Sequence, residues 1–400
     1  MVPFDEAVRK MLDAIDRRVP ARVPLADAVG LVLAENVVSD VDMPPFNKSA
    51  MDGFAVAAAD LAVAPCTLPV LFDVPAGALP PGPLQPGYCA RMMTGAPVPE
   101  GADAVVRIED TQPSPDGRSV AFPKPIASGA NVCLKAEDVR MGDVVLEAGH
   151  LVRPLEVPTL AACGYTLVPV YRRPSVAVLS TGNEVVATDH VPQAGQIRDA
   201  NAPYLAARLR RLGIEILRLG IAPDEPSGLK AALAEGLKSD ALVVSGGVSM
   251  GDFDLVPGLL RELGTDICFD SVAMQPGRPT VFGLRGRTAI FGLPGNPVSV
   301  LVACELFLVP ALRRMMGYSD VLPRRRKAIL VETASHRAGR VAHLPGVLAE
   351  GEDGLTVRPL PYHGSAHIHA LSRANCLFVL PPDVATLEAP AAVEVVELTM

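Results

Sequence analysis

The sequence predicts a multidomain protein that combines α/β and all-β architecture. A three-layer α/β sheet domain is expected beside a β-rich module, a linking segment and a C-terminal β barrel. The chain has 400 residues, and single hydrophobic cores usually stop growing near about 250–300 residues, so several domains are expected. Residues 173–320 alternate short apolar runs with helical patterns, which is typical of a sheet covered by helices. The flanking regions carry short β-like runs separated by turn residues.

Residues 1–44 are predicted to form an N-terminal helix and a linking segment, completed by about residues 140–172. Apolar residues recur here at the spacing of one helix face. They are Phe4, Val8, Met11, Leu12 and Ile15. Because this face is apolar, we expect it to pack against another part of the protein.

Two regions are predicted to be built from β-strands. Residues 45–139 are rich in proline and glycine and contain short β-like runs such as Ala104–Ile108 and Val120–Phe122, which indicates a β-rich module with many turns. Residues 324–400 favour a small β barrel or sandwich, and we take the barrel as the prediction. The runs that carry this second prediction are Ala328–Val331, Leu355–Val357, Leu377–Leu380 and Val393–Leu398.

The α/β region, residues 173–320, is predicted from strands and helices in strict alternation, which indicates a parallel sheet. Asn201 and Ser227 are expected to be N-caps, and Gly213 and Gly264 C-caps, of their helices. The expected strands are Val176–Leu179, Ile214–Leu219, Ala241–Val244 and Ala289–Phe291, with helices near Pro203–Leu212, Leu229–Leu237 and Leu255–Leu263.

Charge and composition argue against several classes of partner. A formal net charge of −8 gives no overall attraction to nucleic acid, and the short basic run at residues 323–327 is typical of a solvated connector. Val298–Leu312 is apolar but is interrupted by Glu305, so it predicts a buried helix and no membrane span. The seven cysteines are scattered without a CxxC pair, and the N-terminus lacks the apolar core of a secretory signal, so a cytoplasmic protein is expected.

Three loops, each opening with Ser/Thr and Gly or with Gly and Pro, follow predicted strands of the α/β region. The carboxyl ends of parallel strands meet at one edge, where such sheets bind ligands, and loops of this composition expose backbone N–H groups to anions. One such loop alone is more often a steric necessity, but three on one rim favour a ligand site. The candidate residues are Ser180, Thr181 and Gly182 in the first loop, Ser245, Gly246, Gly247, Ser249 and Gly251 in the second, and Pro294, Gly295, Asn296 and Pro297 in the third.

Carboxylates accompany these loops, namely Glu184, Asp224, Asp252 and Asp254. Carboxylates repel oxyanion ligands, so their presence predicts a bridging hard cation, and Mg²⁺ is the usual choice. The alternative is that Asp224 and Asp252 only cap helices.

Other polar segments identify no reaction by themselves. Residues 44–56 and 92–101 contain Asp52 and Thr94 in turn-rich surroundings, where an ordinary turn is the default interpretation. His363, His367 and His369 have no cysteine or carboxylate near them in sequence, so no metal is assigned there.

Taken together, seven motifs resemble those of the MoeA family, whose eukaryotic counterpart is the C-terminal domain of gephyrin. They follow the order of the family from about residue 44 to 380, so the resemblance covers nearly the whole chain. The motifs are NKSAMDGFAV, MMTGAPVPEGADAVV, STGNE, SGGVSMGDFD, MQPGRP, GLPGNPVS and SRANCLFVL.

The resemblance implies an enzyme that inserts molybdate into adenylylated molybdopterin, with release of AMP and formation of molybdenum cofactor, assisted by Mg²⁺ or another divalent cation. It implies a homodimer in which the β module of one protomer covers the active-site rim of the other, and transient contact with the molybdopterin adenylyltransferase.

The resemblance also assigns roles to individual residues. It makes Glu184, Asp224 and Asp254 the functional and metal-binding carboxylates, and Asp52 and Thr94 residues supplied by the partner protomer. It adds Arg278, Pro294, Pro297 and Ser365 to the binding residues.

Some positions depart from the family pattern. The family commonly has a basic residue at the position of Gln275, and often another at the position of Ser271. Around Cys133 the family usually has an arginine, and it has glycine at Ala136, which leaves Lys135 as a possible substitute. Two alternatives therefore stay open: a non-catalytic molybdopterin-binding scaffold of the gephyrin type, and a related paralogue that processes the pterin adenylate. The chain lacks a GxxxxGK[ST] loop, which argues against ATP hydrolysis of the P-loop kind.

Overall fold

The computed structural model describes residues 1–248, 255–352 and 354–398, and the chain divides into two compact units. Unit 1 comprises Met1–Glu35, Gly149–Pro154 and Leu167–Met400, and unit 2 comprises Asn36–Ala148 and Leu155–Thr166. The finer division into four segments stays a prediction.

Unit 1 contains a six-stranded sheet with helices on both faces, so the predicted three-layer α/β domain is confirmed. Its strands, in spatial order, are Ile216–Ala222, Val176–Thr181, Ala241–Ser245, Thr288–Leu293, Val281–Arg285 and Asp266–Phe269. Its helices are Asn201–Arg210, Pro226–Gly236, Val256–Glu262, Pro297–Ala303 and Val309–Met315, and a small strand pair joins Val185–Val186 to Ile197–Arg198.

The sheet is not wholly parallel, which corrects the expectation of strict alternation. Val281–Arg285 runs antiparallel to Thr288–Leu293, and Asp266–Phe269 runs antiparallel to Val281–Arg285. Gly286 and Arg287 form the two-residue connection between the paired residues Arg285 and Thr288, and Gly286 has a φ of +59°. A two-residue hairpin turn favours glycine because it needs positive φ.

Alternate residues of the central strands enter two different cores. Val176, Val178 and Val243 belong to a core shared with the helix Phe4–Ala14 and the helices near residue 300. Ala177 and Leu242 belong to the opposite core, which the helices Pro226–Gly236 and Val256–Glu262 cover. Burial on both faces explains why these strands read as continuous apolar runs.

The predicted N-terminal helix is confirmed as Phe4–Ala14, and Phe4, Ala7, Met11 and Ile15 are buried. The Phe4 and Phe307 rings pack edge to face, with a centroid distance of 5.7 Å. A three-stranded sheet of Pro20–Pro24, Leu167–Tyr171 and Val32–Leu33, in which Leu167–Tyr171 is central, completes this part of unit 1.

The apolar run predicted as a buried helix is buried and helical, with one π-turn at Cys304–Leu308 between the helices Pro297–Ala303 and Val309–Met315. Glu305 is only 4% exposed. Arg208 donates to it from Nη2 at 2.9 Å, and the Tyr204 hydroxyl donates at 3.1 Å. The charge that interrupts the run is therefore paired inside the core.

The C-terminal part of unit 1 is a closed five-stranded β barrel, so the predicted barrel is confirmed. Closure comes from pairing of Val341–Gly351 with Cys376–Leu380. Around the barrel the strands are Val341–Gly351, Gly354–Pro359, Arg325–Leu330, Ala391–Glu397 and Cys376–Leu380, and Met274–Gln275 pairs alongside the first. A short strand pair joins Ala334–Ser335 to Thr386–Leu387, and a 3₁₀ turn covers Ile368–Arg373. In the N-terminal part of unit 1, another 3₁₀ turn covers Leu25–Asp27.

Unit 2 is dominated by β-structure, as predicted for its region of the sequence. Its six-stranded sheet has cores on both sides, centred on Phe54 and Phe122 on one and on Ala55 and Met92 on the other. The strands, in spatial order, are Ala104–Arg107, Gly53–Val56, Cys89–Met92, Cys66–Val74, Ser119–Phe122 and Gln112–Pro113. Strand pairs Lys48–Ser49 with Val132–Cys133 and Val37–Val38 with Val144–Leu146, the helix Val157–Ala162, and 3₁₀ turns Ala58–Leu61 and Ile108–Asp110 complete it.

Across the described ranges, no helix combines the length and apolar character needed to traverse a lipid bilayer.

Candidate active site

A cavity of about 660 Å³ lies at the carboxyl edge of the parallel strands in unit 1. The strands Val176–Thr181, Ala241–Ser245 and Thr288–Leu293 run parallel, so the loops that follow them emerge at this edge, as expected for ligand sites in such sheets. Residues from all three predicted loops line the cavity. They are Ser180, Thr181, Gly182 and Glu184, then Ser245, Gly246 and Gly247, then Pro294, Gly295, Asn296 and Pro297, with Asp224 from the loop after Ile216–Ala222.

The second loop is described as far as Val248. Ser249, Gly251, Asp252 and Asp254, which carry several of the sequence predictions, lie outside the described residues.

Two glycines of the second loop are required by the backbone. Gly246 has a φ of +96°, and a Cβ there would lie 2.5 Å from the Thr181 carbonyl oxygen; Gly247 has a φ of +63°. Any side chain would therefore clash with the first loop or strain the turn. The Thr181 hydroxyl beneath them is buried and finds no hydrogen-bond partner among the residues that are described.

Asp199 and Asn201, which the sequence analysis did not assign to the site, connect the three loops. Asp199 Oδ2 accepts from Ser180 Oγ at 2.8 Å. Asn201 Nδ2 donates to Ser245 Oγ at 2.8 Å and to the Gly295 carbonyl at 2.7 Å. Both residues line the cavity, and we name this set of hydrogen bonds the loop clamp.

The same Asp199 is the cap of the helix Asn201–Arg210, which corrects the expectation that Asn201 is its N-cap. Asp199 Oδ1 accepts from the backbone N–H groups of Asn201 and Ala202. The expectation for Ser227 is corrected similarly, because the Glu225 carboxylate accepts from the N–H groups of Ser227 and Gly228. Capping lowers the pKa of Glu225, with the Ser227 hydroxyl as the largest cause.

Two of the predicted carboxylates, Glu184 and Asp224, line the cavity with Asp199. Asp199 uses both oxygens within the protein, in the loop clamp and the helix cap. Asp224 is half-buried, and its N–H donates to the Asn183 side-chain oxygen at 3.1 Å. In residues 1–248, 255–352 and 354–398, no three His, Cys, Asp or Glu side chains are grouped to hold a metal ion.

The third loop contacts the segment that precedes the turn Ile368–Arg373. Asn296 Nδ2 donates to Ser365 Oγ at 2.8 Å, and the Val298 N–H donates to the Ser365 carbonyl at 3.1 Å. Ala366 and Ile368 line the cavity, so the structure brings the predicted residue Ser365 to its edge. His363 and His367 stack at 5.1 Å in the same segment.

Arg278 and the two departures near it are placed differently. Arg278 is exposed next to Pro279, which lines the cavity. Gln275 Oε1 is buried with no hydrogen-bond partner within the described ranges. Ser271 is 4% exposed and donates to Asp270 at 3.3 Å. The cavity lining as described includes none of the three.

The predicted residues of the β module lie in unit 2. The Thr94 N–H and hydroxyl both donate to Asp52 Oδ1, at 2.6 and 2.9 Å. These bonds lower the pKa of the exposed Asp52 carboxyl, with the backbone N–H as the largest cause. The structure therefore brings Asp52 and Thr94 together as one exposed pair.

The segment with further departures is also in unit 2. Lys135 Nζ lies 3.2 Å from Asp42 Oδ2. Ala136, where the family usually has glycine, has a φ of +60°. Burial is the largest cause of a raised pKa at the Cys133 thiol.

Three family models match the chain in order. The "MoeA N-terminal region (domain I and II)" matches residues 2–164, the "Probable molybdopterin binding domain" matches residues 177–314, and the "MoeA C-terminal region (domain IV)" matches residues 327–398.

Named relatives and a solved structure match over nearly the full length. A molybdopterin molybdenumtransferase of Staphylococcus aureus is 33% identical over 387 residues, which cover 95% of this chain and 91% of the relative. Molybdopterin molybdenumtransferase 2 of Mycobacterium tuberculosis is 38% identical over 390 residues, covering 95% of each. The crystal structure of a molybdopterin biosynthesis MoeA protein from Pyrococcus horikoshii superposes with a TM-score of 0.87 at 31% identity, covering 99% of each chain.

Proposed function

The chain belongs to the MoeA family, and from this premise we propose that it is a molybdopterin molybdenumtransferase. It would insert molybdate into adenylylated molybdopterin, release AMP and so complete the molybdenum cofactor. The observation that carries this proposal is the cavity formed by three loops at the carboxyl edge of one sheet. Relatives that bear this enzyme name match 95% of the chain.

The lining of the cavity suits a phosphate-bearing ligand together with a second oxyanion such as molybdate. The Ser245 hydroxyl, the Asn296 amide and the glycine backbone border it. Such groups can hold anions without a strong charge of their own. The loop clamp fixes their spacing, because one segment is hydrogen-bonded to all three loops.

Carboxylates beside an anion site need a cation, and we propose that Mg²⁺ binds here with the substrate. Among the described residues, Glu184 and Asp224 are the cavity carboxylates outside the loop clamp. Mg²⁺ usually binds one or two carboxylates together with substrate phosphates and waters, so this donor set fits the ion, and family resemblance adds Asp254. When bound, the cation would neutralise charge on the phosphate oxygens.

Family resemblance further supports a homodimer in which the site is shared. Asp52 and Thr94 belong to unit 2 and the cavity to unit 1, and we propose that this pair acts on the cavity of the partner protomer. The donor bonds from Thr94 hold the Asp52 carboxylate ionised and oriented. Transient contact with the molybdopterin adenylyltransferase and a cytoplasmic location complete the proposal. Seven free cysteines suit a reducing compartment.

The direct test is an insertion assay with purified protein, adenylylated molybdopterin, molybdate and Mg²⁺. Asp224→Asn should lower the rate of cofactor formation at least about 100-fold if its charge acts on the reacting groups. Asp189→Asn is the matched control, because Asp189 is exposed and outside the cavity lining. Wild-type protein that binds the substrates without forming cofactor would contradict the proposed enzyme.

A scaffold that binds molybdopterin without turnover is the second candidate. The observation in its favour is the absence of a basic side chain at Ser271 and Gln275. Tight binding of molybdopterin with no insertion, in the same assay, would support it. Formation of adenylylated molybdopterin from ATP would instead identify a pterin-adenylating paralogue.

A further inference from the structure

A second cavity, wide open to solvent and of about 500 Å³, lies at the amino end of the α/β sheet in unit 1. Its lining comprises Ile15, Asp16, Arg17, Arg287 and Arg314. Arg287 directly precedes the strand Thr288–Leu293, whose other end leads into the loop at Pro294. A strand of six residues is roughly 20 Å long, so this arginine cavity is separate from the candidate active site.

The three arginines of this cavity have few hydrogen-bond partners among the described residues. Arg287 Nη2 donates to the Arg17 carbonyl at 3.0 Å. Arg17 lies over the Tyr171 ring, with 5.7 Å between Cζ and the centroid. Arg314 Nε is buried and has no hydrogen-bond partner among the described residues. A buried donor without a partner is costly to the folded state.

Carboxylates do not neutralise the three arginines of the cavity. Asp16 is the acidic residue of the lining, so three arginines and one aspartate leave a formal charge of +2. Within residues 1–248, 255–352 and 354–398, neither Asp16 nor any other carboxylate forms an ion pair with Arg17, Arg287 or Arg314.

The carboxylate of Asp240, at the same end of the sheet, is already occupied by arginine partners. Asp240 accepts from Arg172 at 2.7 and 3.0 Å, and lies 3.7 Å from Arg18 Nη1. Burial is the largest cause of the lowered pKa of the Arg18 guanidinium; attraction to Asp240 and Asp16 opposes this effect, and repulsion from Arg287 and Arg172 adds to it. Positive charge is therefore concentrated at this end of the sheet beyond what Asp240 offsets.

We propose that the arginine cavity binds a tetrahedral oxyanion of the phosphate type, either free or as the end of a phosphate monoester. Guanidinium groups match such oxygens because their N–H donors form a planar fork. The anion would offset the charge of Arg17, Arg287 and Arg314, which line the cavity. This site is independent of the proposed insertion of molybdate.

The test is a calorimetric titration of the full chain with inorganic phosphate and, separately, with AMP. Arg314→Gln and Arg287→Gln should each weaken binding of the anion to the arginine cavity at least about tenfold. Arg22→Gln is the control and should leave this binding unchanged, because Arg22 is an exposed arginine paired with Glu35 outside the cavity. Loss for phosphate alone identifies a free ion as the ligand, and loss for both ligands identifies a phosphate monoester.

Two variants distinguish anion binding at the arginine cavity from binding at the candidate active site. Asp224→Asn should leave the arginine-dependent event in place, and Arg287→Gln should leave cofactor formation unchanged because Arg287 lies at the other end of its strand. Arg287 is exposed on a hairpin turn, so its substitution tests the proposal even if Arg314→Gln fails to fold. Unchanged affinity for both phosphate and AMP in Arg287→Gln would overturn the proposal.

Discussion

Ala136 adopts a backbone conformation that its side chain disfavours. Its φ is +60°, and its N–H donates to the Pro44 carbonyl at 2.9 Å, which holds the turn in place. The left-handed conformation costs a residue with a Cβ about 1–2 kcal/mol, and the greater freedom of glycine in the unfolded chain offsets part of that. We expect Ala136→Gly to raise the free energy of unfolding of unit 2 by about 0.5–1 kcal/mol, measured by chemical denaturation.

Ala161→Gly is the matched control for this substitution. Ala161 is exposed in the helix Val157–Ala162 of the same unit, where glycine should lower stability by about 0.5–1 kcal/mol. Equal effects at the two positions would show that the conformation of Ala136 carries no penalty.

His343 is a neutral histidine enclosed by unit 1. It is fully buried, its ring lies 4.9 Å from that of Phe4, and neither ring nitrogen has a hydrogen-bond partner among the described residues. Burial, with a smaller contribution from the charge of Arg325, lowers its pKa from 6.5 to about 3. The unfolded chain therefore binds the extra proton between about pH 6.5 and 3, so lowering the pH through this window destabilises the fold.

We expect wild-type protein to lose about 2 kcal/mol of unfolding free energy between pH 7.5 and 5 through this residue. His343→Leu removes the titrating group and keeps an apolar contact with Phe4, so it should lose less over the same range. Denaturant titrations of both proteins at both pH values give the comparison. If the difference between wild type and variant is independent of pH, His343 is not the titrating group.

At the level of elements, the loop clamp determines how the three loops are spaced. In Asn201→Asp, a carboxylate oxygen would replace the donor that bonds to the Gly295 carbonyl, so two acceptors would face each other. Because small misplacements of binding groups can reduce rates about 100-fold, we expect cofactor formation to fall about 10- to 100-fold. As Asn201 is a positioning residue, KM for adenylylated molybdopterin should rise as well.

Gln193→Glu is the control for the added charge, because Gln193 is exposed and outside the described cavity lining. An Asn201→Asp variant with wild-type KM and kcat would show that the hydrogen bonds do not set loop position. Circular dichroism of the variant would establish that the helix Asn201–Arg210 is retained.

Elements with a regular apolar period could be predicted from the sequence, and others could not. Buried strands such as Ala241–Ser245 are continuous apolar runs, and so the loops after them could be named. The strand Val281–Arg285 was missed because Gly283 interrupts it, and the barrel strand Val341–Gly351 because Pro345 and Gly346 do. Asp199 was missed because its bond to Ser180 depends on how the two segments pack in three dimensions.

At the scale of the whole molecule, the proposed shared site makes a quantitative prediction. A purified heterodimer of one Asp52→Asn and one Asp224→Asn protomer would have one site with both changes and one with neither, if Asp52 acts on the partner. We therefore expect about half of wild-type insertion activity, since a symmetric dimer has two equivalent sites.

Each homodimeric variant should be inactive in the same assay, and this is the reference for the heterodimer. If Asp52 acted within its own protomer, both sites of the heterodimer would be defective. A heterodimer as inactive as the two homodimers would thus rule out the shared site.

Unit 1 is formed by three separate segments of the chain, and this affects the order of folding during translation. Residues of unit 2 between Asn36 and Thr166 are synthesised before most of unit 1, so unit 2 can fold on the ribosome first. The N-terminal helix packs through Phe4 on Phe307, roughly 300 residues later, and at about 5–20 residues per second it waits about 15–60 s for that partner. The part of the unit 1 core that contains this ring pair can therefore form only after residue 307 has been synthesised.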